Sequence, residues 1–366
     1  MPSGSNSQVN SRLHGDSKGR AHGGRRCRVF VSGETPSSTR RAGVTIAGPH
    51  RVSQLGIPET KMQLGMIGLG RMGANMLRRL RRSDIDAVGY DRNTEIARAL
   101  ADECGMLAAD GVEDLVSRLG SPRMVWLMLP AGEITEHAVA NLRDLLAGGD
   151  ILIDGANSHF KDSMRRGAWL AEQGIHFMDA GVSGGVWGLE RGYALTVGGS
   201  RDAVSAVRPL LEILAPAADR GWLHCGPVGS GHFVKMIHNA IEYGMMQAYA
   251  EGFSLMRGRA EFDLDLAAIA ETWRHGSVVR SWLLDLTADY LAEDAELATI
   301  EPVVADSGEG RWAAIEAIEQ GVPAPIMTTA LMMRFASQGR LDYASKLLAI
   351  MRRQFGGHAI KESSER

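Results

Sequence analysis

Residues 62–73 read MQLGMIGLGRMG, a short apolar run that leads directly into the pattern Gly68-Leu69-Gly70-Arg71-Met72-Gly73. In this GxGxxG pattern the first glycine makes a tight turn, the second lets the backbone approach a pyrophosphate, and the third lets a helix pack against the strand. The phosphate then lies at the positively charged N-terminus of that helix. The stretch therefore predicts a strand, a turn and a helix that together bind a dinucleotide through these six residues.

A second predicted strand covers Ile85–Tyr90, and Asp91 follows it, 18 residues after Gly73. An acid in this position accepts hydrogen bonds from the ribose hydroxyls of the adenosine. Its charge repels the 2′-phosphate of NADP, whereas the neighbouring Arg92 attracts that phosphate. We expect NAD to be the preferred cofactor and leave open that NADP is used as well.

Further apolar strands alternate with helical stretches; they are predicted over Met124–Leu129, Ile151–Asp154, Ile175–Asp179 and Tyr193–Val197. Alternation of this kind predicts right-handed βαβ units and a parallel sheet. After Gly226-Pro227 the pattern changes to helices alone, over residues 231–257, 264–274, 281–292, 311–320, 324–337 and 341–354. We therefore predict an α/β fold: a Rossmann-type doubly wound parallel sheet over residues 62–226, followed by an all-helical C-terminal domain with a tail over residues 227–366.

Residues 1–61 differ from the rest of the chain, because they are rich in Ser, Gly and Arg and have no sustained apolar period. Such a composition is typical of a disordered extension, which is what we predict for this segment. Two alternatives stay open. The segment could be an organelle transit peptide, or the translation start could be placed too early, with Met62 as the true first residue.

Composition excludes several classes of protein. With 45% hydrophobic and 23% charged residues among 366, the chain is an ordinary globular protein. Its longest nearly apolar run covers only residues 124–131, whereas a membrane-spanning helix needs about 18 residues. Residues 62–366 hold 30 Lys or Arg against 40 Asp or Glu. We therefore expect neither a membrane nor nucleic acid as partner.

The three cysteines, Cys27, Cys104 and Cys225, are far apart in the sequence. They form neither a disulfide framework nor, with nearby histidines, the ligand spacing of a metal site. We expect a cytoplasmic protein without a metal.

Five polar side chains follow helical spacing, at i, i+3, i+4, i+7 and i+8; they are Lys235, His238, Asn239, Glu242 and Tyr243. This spacing puts them on one stripe of a helix, apart from an apolar stripe. The alternative is a solvated face. Such faces usually carry several Lys and Glu, whereas this one holds one base, one acid and three hydrogen-bonding groups.

Two glycine-rich loops follow predicted strands: DGANS at residues 154–158 and DAGVSGG at residues 179–185. Ligands of doubly wound sheets bind at the carboxyl ends of strands, so Asn157 and Ser183 are placed to meet cofactor and substrate. Ordinary turn chemistry is the alternative for each loop taken alone.

The GxGxxG, DGANS and GVSGG motifs, the stretch GHFVKMIHNAIEYGMMQAYAEGF at residues 231–253 and the terminal FGGH occur in this order. Together they resemble 6-phosphogluconate dehydrogenase, decarboxylating, over about residues 62–360, in its short form. The resemblance implies oxidative decarboxylation of 6-phosphogluconate to ribulose 5-phosphate and CO₂, with reduction of NAD or NADP.

The resemblance also implies roles for individual residues. Lys235 corresponds to the general base, Glu242 to the general acid, and Asn157 to an asparagine between nicotinamide and substrate. The implied substrate-binding residues are Ser183, Gly184, Gly185, His238, Asn239, Tyr243, Arg311, Arg334, Arg352 and His358. The last two lie in a tail that reaches the partner subunit's site in the family, so we expect a homodimer or a dimer of dimers.

The chain departs from the long-form family at four places. Arg311 replaces a lysine, and Val186-Trp187 replaces two glutamates. Leu129 and Pro130, with Ala131, replace a lysine-bearing loop beside the cofactor, and Asp91 replaces an asparagine seen in NADP-specific members. The last two departures speak against NADP specificity.

Two other functions stay open. A non-decarboxylating β-hydroxyacid dehydrogenase would use Lys235 and Asn157 equally well, but Glu242 and the phosphate-binding arginines would be superfluous. A catalytically silent, dinucleotide-binding regulator would need neither Lys235 nor Glu242.

Overall fold

The computed structural model describes residues 61–356 and 359–361, which belong to one compact unit. The predictions for residues 1–60 and for His358 lie outside the described residues. The predicted domain boundary at Gly226-Pro227 falls between the last strand and the long helix that follows it. It stays a prediction.

Eight strands form one sheet in the order β3-β2-β1-β4-β5-β6-β7-β8. Their bounds are Gln63–Ile67 (β1), Asp86–Tyr90 (β2), Leu107–Ala108 (β3), Met124–Leu127 (β4), Ile151–Asp154 (β5), His176–Ser183 (β6), Ala194–Gly198 (β7) and Trp222–Gly226 (β8). Every neighbouring pair is parallel except β6 and β7, which are antiparallel. The Rossmann-type sheet is confirmed.

The antiparallel pair is one departure from the predicted parallel sheet. The connection between β6 and β7 contains only a 3₁₀ turn, Gly185–Trp187, and a four-residue helix, Gly188–Arg191. Parallel neighbours need a crossover of a dozen or more residues, so this connection is too short for one. The strand β6 also continues to Ser183, four residues beyond its predicted end. The short strand β3 and the strand β8 were not predicted.

Helices cover both faces of the sheet: Arg71–Arg81 (α1), Thr94–Cys104 (α2), Val112–Ser117 (α3), Glu133–Leu145 (α4), Phe160–Ala171 (α5), Gly188–Arg191 (α6) and Arg201–Leu214 (α7). Alternate residues of a strand point to opposite faces. Accordingly, Leu64 and Met66 of β1 belong to one buried cluster with α1 and α7, whereas Ile67 belongs to a second cluster with α3, α4 and α5.

The six helices predicted after residue 226 are confirmed. They are Ser230–Arg257 (α8), Leu266–Arg274 (α9), Trp282–Glu293 (α10), Glu309–Gln320 (α11), Pro325–Ser337 (α12) and Asp342–Gly356 (α13). Among the described residues, no helix combines the length and apolar character that a membrane crossing requires.

The start of α8 is fixed to the sheet by a buried carboxylate of β6. Asp179 accepts hydrogen bonds from the backbone amides of Gly229 (2.6 Å) and His232 (2.7 Å). A Cβ at Gly231 would lie 2.6 Å from the carbonyl oxygen of Asp179, so glycine permits the close approach. The polar stripe of α8 is thereby held at the carboxyl end of β6.

Candidate active site

The glycine turn between β1 and α1 has the geometry of a pyrophosphate site. Gly68 has a φ of +92°, and a Cβ at Gly73 would clash with the carbonyl oxygen of Gly68. At Gly70, the N-cap of α1, nothing lies within 4 Å of an added Cβ, and no side chain caps the helix. The amides at the start of α1 are therefore open to a phosphate group.

Asp91 joins the end of β2 to this turn. Its Oδ2 accepts a hydrogen bond from the Leu69 amide (2.8 Å), and its Oδ1 accepts one from the Asn93 amide (2.9 Å). Each carboxylate oxygen has a second acceptor site, which is available to a ribose hydroxyl. The neighbouring Arg92 is exposed. Asp91 therefore positions the turn as well as marking the expected ribose site.

Leu129, Pro130 and Arg71 are three other predicted cofactor residues. Leu129 packs close to Gly68, and the carbonyl oxygen of Pro130 accepts a hydrogen bond from the buried Thr135 hydroxyl (2.8 Å). Arg71 is exposed at the first position of α1. The residues present thus fit a dinucleotide with its pyrophosphate on α1 and its adenosine ribose near Asp91.

A cavity of about 1120 Å³ lies along the polar stripe of α8. All five stripe residues line it, so the structure brings them together along one side of the helix. Six other predicted residues also line it: Met72, Asn157, Ser183, Gly184, Gly185 and Arg334. The predicted stripe, the two loops and one arginine thus share one cavity.

Lys235 packs against Gly181 of β6, so closely that a Cβ at Gly181 would clash with the Lys235 side chain. Its Nζ donates a hydrogen bond to Asn239 Oδ1 (2.6 Å). Burial lowers the pKa of Lys235, whereas the nearby charges of Glu242 and Glu309 oppose that shift. A buried lysine with a lowered pKa is suited to act as a base near neutral pH.

His238 and Glu242 lie one turn apart, with His238 Nδ1 3.8 Å from Glu242 Oε2. His238 Nδ1 is also 3.1 Å from Asn239 Oδ1. The Glu242 side chain is 40% exposed, so it is open to the cavity and to solvent. This position suits a group that donates a proton to a ligand and is then reprotonated from solvent.

Tyr243 is buried beneath Arg334, whose guanidinium carbon lies 3.5 Å from the ring centroid. Arg334 Nη1 also donates a hydrogen bond to the Ala305 carbonyl oxygen (2.7 Å). Among the residues that line the cavity, Lys235 is the one lysine and Arg334 the one arginine. Arg334 is therefore placed to bind an anionic group of a ligand.

Two predicted substrate residues lie away from the cavity lining. Arg311 donates a hydrogen bond from Nε to Asp306, and its guanidinium carbon lies 4.8 Å from the centroid of the Phe335 ring. Arg352 is exposed on α13. Within this chain the structure does not bring either residue to the other site residues, and their roles stay predictions.

A buried ion pair that the sequence analysis missed supports the loop of Asn157. Arg166 donates a hydrogen bond to Asp154 Oδ2 (3.0 Å), and both side chains are buried. The other Asp154 oxygen accepts from the Ala156 amide (3.0 Å), and Ser158 donates to Oδ2 (2.8 Å). Charged pairs are buried only when most of their hydrogen bonds are satisfied, so this network fixes the backbone on both sides of Asn157.

Glu309 is a second residue that the sequence analysis missed. It is only 3% exposed, lines the cavity and accepts a hydrogen bond from Asn239 Nδ2 at Oε1 (3.1 Å). The available signal was an acid between Gly308 and Gly310 at the start of a helix.

The fold and the site define a dinucleotide-dependent dehydrogenase. Residues 63–225 match the family model described as the NAD binding domain of 6-phosphogluconate dehydrogenase. Residues 231–363 match the model of the C-terminal domain of 6-phosphogluconate dehydrogenase. The chain belongs to the 6-phosphogluconate dehydrogenase family.

Individual relatives agree with this assignment. The chain is 40% identical over 305 residues to the NAD(+)-dependent, decarboxylating 6-phosphogluconate dehydrogenase of Haloferax volcanii, covering 83% of this chain and 100% of that protein. It is 34% identical over 291 residues to the NADP(+)-dependent, decarboxylating enzyme of Bacillus subtilis (strain 168), covering 76% of this chain and 62% of that one. Full coverage of the first relative fits the predicted short form.

A solved structure is also similar. Plasmodium falciparum 6-phosphogluconate dehydrogenase, described in apo form and in complexes with NADP+ and with 6-phosphogluconate, has a TM-score of 0.71 and 29% sequence identity. The match covers 83% of this chain and 67% of that chain.

Proposed function

We propose that this chain catalyses the oxidative decarboxylation of 6-phosphogluconate to ribulose 5-phosphate and CO₂, with NAD as cofactor and NADP as an alternative. The observation that carries the proposal is the joint placement of Lys235, Glu242 and Arg334 on one cavity. A base, an acid and a phosphate-binding cation are the three groups that this reaction needs. Relatives named for both cofactors support the choice of NAD with NADP as an alternative.

The first step is oxidation at C3. Lys235, whose pKa is lowered by burial, accepts the proton of the C3 hydroxyl. Asn239 holds the Lys235 amine, and Asn157 lies at the end of β5, between the expected places of nicotinamide and substrate. NAD, when bound, accepts the hydride from C3.

The second step is decarboxylation of the resulting β-keto acid. The C1–C2 bond breaks, CO₂ leaves, and the electron pair moves toward the C3 ketone oxygen, which takes up a proton from the Lys235 ammonium. The product is an enediol. Because the ketone itself accepts the electron pair, the step makes no demand on a metal ion.

The third step is protonation of the enediol carbon that carried the carboxylate. Glu242 in its protonated form delivers this proton, while the neutral Lys235 amine takes back the proton of the hydroxyl on the oxidised carbon, which becomes the ketone of ribulose 5-phosphate. The exposure of Glu242 supports this role, since the carboxylate must regain a proton in each turnover.

Binding groups complete the site. Arg334 and Tyr243 bind the substrate phosphate, and Ser183, Gly184, Gly185, His238 and Asn239 bind the sugar acid. The turn from Gly68 to Gly73 binds the pyrophosphate of the cofactor. Asp91 and Arg92 bind its adenosine ribose, and Leu129 and Pro130 border the dinucleotide.

We further propose a homodimer, or a dimer of such dimers, in which the tail completes the partner's site. Along α13 apolar side chains are exposed, among them Leu347, Leu348 and Met351. Burial of such a helix against a second copy would remove this apolar surface from water. Arg352, Arg311 and His358 would then contribute to phosphate binding.

One assay tests the proposed reaction. Purified protein is incubated with 6-phosphogluconate and either NAD or NADP, and both the reduced cofactor and CO₂ are followed, with Lys235→Met as the inactive control. We expect equal amounts of reduced cofactor and CO₂. Reduced cofactor without CO₂ would favour a non-decarboxylating β-hydroxyacid dehydrogenase, and cofactor binding without turnover would favour a regulator.

A further inference from the structure

Glu309 stands out among the residues that line the cavity, because it is an almost fully buried acid in a site for an anionic substrate. It is the first residue of α11 and is 3% exposed. A Cβ at the next residue, Gly310, would lie 2.7 Å from the ring of Tyr243, so the helix start packs directly on α8. The carboxylate is therefore held rigidly beside the polar stripe.

Two hydrogen bonds connect Glu309 to Lys235 through Asn239. Lys235 Nζ donates to Asn239 Oδ1 (2.6 Å), and Asn239 Nδ2 donates to Glu309 Oε1 (3.1 Å). A carboxylate only accepts hydrogen bonds, so it requires the NH₂ group of the amide. This requirement leaves the amide oxygen to face Lys235. Without Glu309, the amide could turn and present its NH₂ group to Lys235, where it would repel the ammonium form or occupy the lone pair of the neutral amine.

The second carboxylate oxygen, Oε2, is buried and has no hydrogen-bond partner within the described part of the chain. Leaving such an atom unpaired destabilises the folded protein, because the atom loses its hydrogen bonds to water and gains none in return. A purely structural acid would be expected to satisfy both oxygens, so the cost points to a role in the site.

We propose that Glu309 is a positioning residue, which fixes the Asn239 amide and thereby holds the Lys235 amine in place for the substrate hydroxyl. This proposal rests on the proposed function of Lys235 as the base. It does not require contact between Glu309 and the substrate.

The charge of Glu309 also acts on the pKa of Lys235. Burial lowers the pKa of Lys235, and the negative charges of Glu242 and Glu309 raise it. The other charged or titratable groups that line the cavity are His238 and Tyr243 on α8 and Arg334 on α12, and β6 contributes only uncharged residues to the lining. Removal of the Glu309 charge therefore lowers the pKa of Lys235.

The test compares three variants of the full-length protein. Glu309→Gln removes the charge and keeps an oxygen that can accept from Asn239. Glu309→Leu removes the charge and the acceptor. Glu316→Gln is the matched control, because Glu316 lies on the same helix, has a side chain only 14% exposed and lies outside the cavity lining.

Two quantities are measured for each variant. One is the pH profile of kcat/KM for 6-phosphogluconate. The other is the pH dependence of Lys235 acetylation by acetic anhydride, followed by mass spectrometry, which needs no turnover. We expect Glu309→Gln to move the acidic limb of the pH profile and the acetylation midpoint to lower pH, because the variant removes a negative charge that raises the pKa of Lys235. We expect Glu309→Leu to lower kcat by roughly tenfold to a hundredfold without raising KM.

Other results would overturn the proposal. If the profiles of Glu309→Gln coincide with those of the native protein and Glu316→Gln, Glu309 does not influence Lys235. A rise in KM at unchanged kcat would show that Glu309 contacts the substrate instead. If the native protein does not turn over 6-phosphogluconate but the acetylation midpoint shifts as expected, the proposed function fails, and the proposal is reduced to an influence of Glu309 on the pKa of Lys235.

Discussion

The Arg334 guanidinium lies over the Tyr243 ring, with its central carbon 3.5 Å from the ring centroid. The Tyr243 hydroxyl is in turn 3.1 Å from Ser307 Oγ, so the ring is held at both its face and its tip. A planar guanidinium can stack in this way and still direct its edge to a phosphate, whereas a lysine ammonium acts only as a point charge. We infer that this pair fixes the direction from which the substrate phosphate is bound.

Arg334→Lys is expected to weaken substrate binding although it keeps the charge. Loss of a charge-assisted hydrogen bond costs about 1.5–3 kcal/mol, which corresponds to a rise in KM of roughly tenfold to a hundredfold. Steady-state kinetics with 6-phosphogluconate measures this KM. Tyr243→Leu, which removes the ring, should raise KM similarly, whereas Tyr243→Phe, which keeps the ring, should raise it less. A native KM in Arg334→Lys would contradict the stacked arrangement as the phosphate site.

Glu242→Gln is expected to separate oxidation from the protonation of the enediol. The amide keeps the shape of the side chain but has no acidic proton, so formation of ribulose 5-phosphate should slow by about 10²–10⁴. A rapid-quench experiment measures reduced cofactor and ribulose 5-phosphate in the first turnover. We expect the cofactor to be reduced before the sugar product appears. If the variant reduces the cofactor and forms ribulose 5-phosphate at the native rates, Glu242 is not the general acid.

The parts of this site that the sequence predicted are those that depend on local spacing. The glycine turn follows from the order of a strand and a helix, and the α8 stripe follows from the helical period. Gly70 and Lys235 could therefore be assigned to the site from sequence. Asp154 and Arg166, by contrast, meet through the packing of α5 on the sheet, and Glu309 reaches Asn239 from 70 residues away. No periodic pattern encodes such contacts.

The antiparallel β6–β7 pair was missed for a related reason. Both strands are apolar and resemble their parallel neighbours, and their direction is set by the length of the connection between them. That connection reads as a glycine-rich loop, in which the 3₁₀ turn Gly185–Trp187 leaves no periodic signal.

Asp91→Ala is expected to shift the cofactor preference toward NADP. The variant removes a charge that repels the 2′-phosphate, and Arg92 remains to attract it. The variant also removes the acceptor of the Leu69 amide, so kcat/KM should fall for NAD in absolute terms. Asp91→Asn is the matched control, because it removes the charge and keeps an oxygen for that amide. The ratio of kcat/KM values for NAD and NADP is measured. An unchanged ratio in both variants would place cofactor selection elsewhere.

Arg166→Met is expected to destabilise the protein far more than loss of a surface ion pair. It leaves Asp154 as an unpaired buried charge, which costs about 3–5 kcal/mol of the free energy of unfolding. Arg208→Met is the matched control, because Arg208 pairs with Glu212 on the exposed face of α7. Loss of this surface pair should lower the free energy of unfolding by less than about 1 kcal/mol. Urea unfolding followed by circular dichroism measures both. Equal losses in the two variants would show that the Asp154–Arg166 pair does not support the Asn157 loop.

The last prediction concerns the sharing of active sites between two subunits. Arg352 is exposed on α13 in the single chain, away from the cavity that holds Lys235. If α13 of one subunit completes the cavity of the other, then Lys235→Met and Arg352→Ala each disable both sites of their own homodimer. A mixed dimer of the two variants then has one site with both residues intact and one site with neither.

Mixing the two inactive variants should therefore restore activity. Random pairing of equal amounts makes half of the dimers mixed, and each of these has one intact site of two, so activity should recover to about a quarter of the native value. Subunit exchange is verified with two tags of different mass, by native mass spectrometry before the assay. A mixture of Lys235→Met with Glu242→Gln is the control, since both residues lie on the same helix and no mixed dimer gains an intact site. Recovery in the first mixture and not in the second locates Arg352 in the partner's site, whereas no recovery after verified exchange would mean that each tail serves its own subunit.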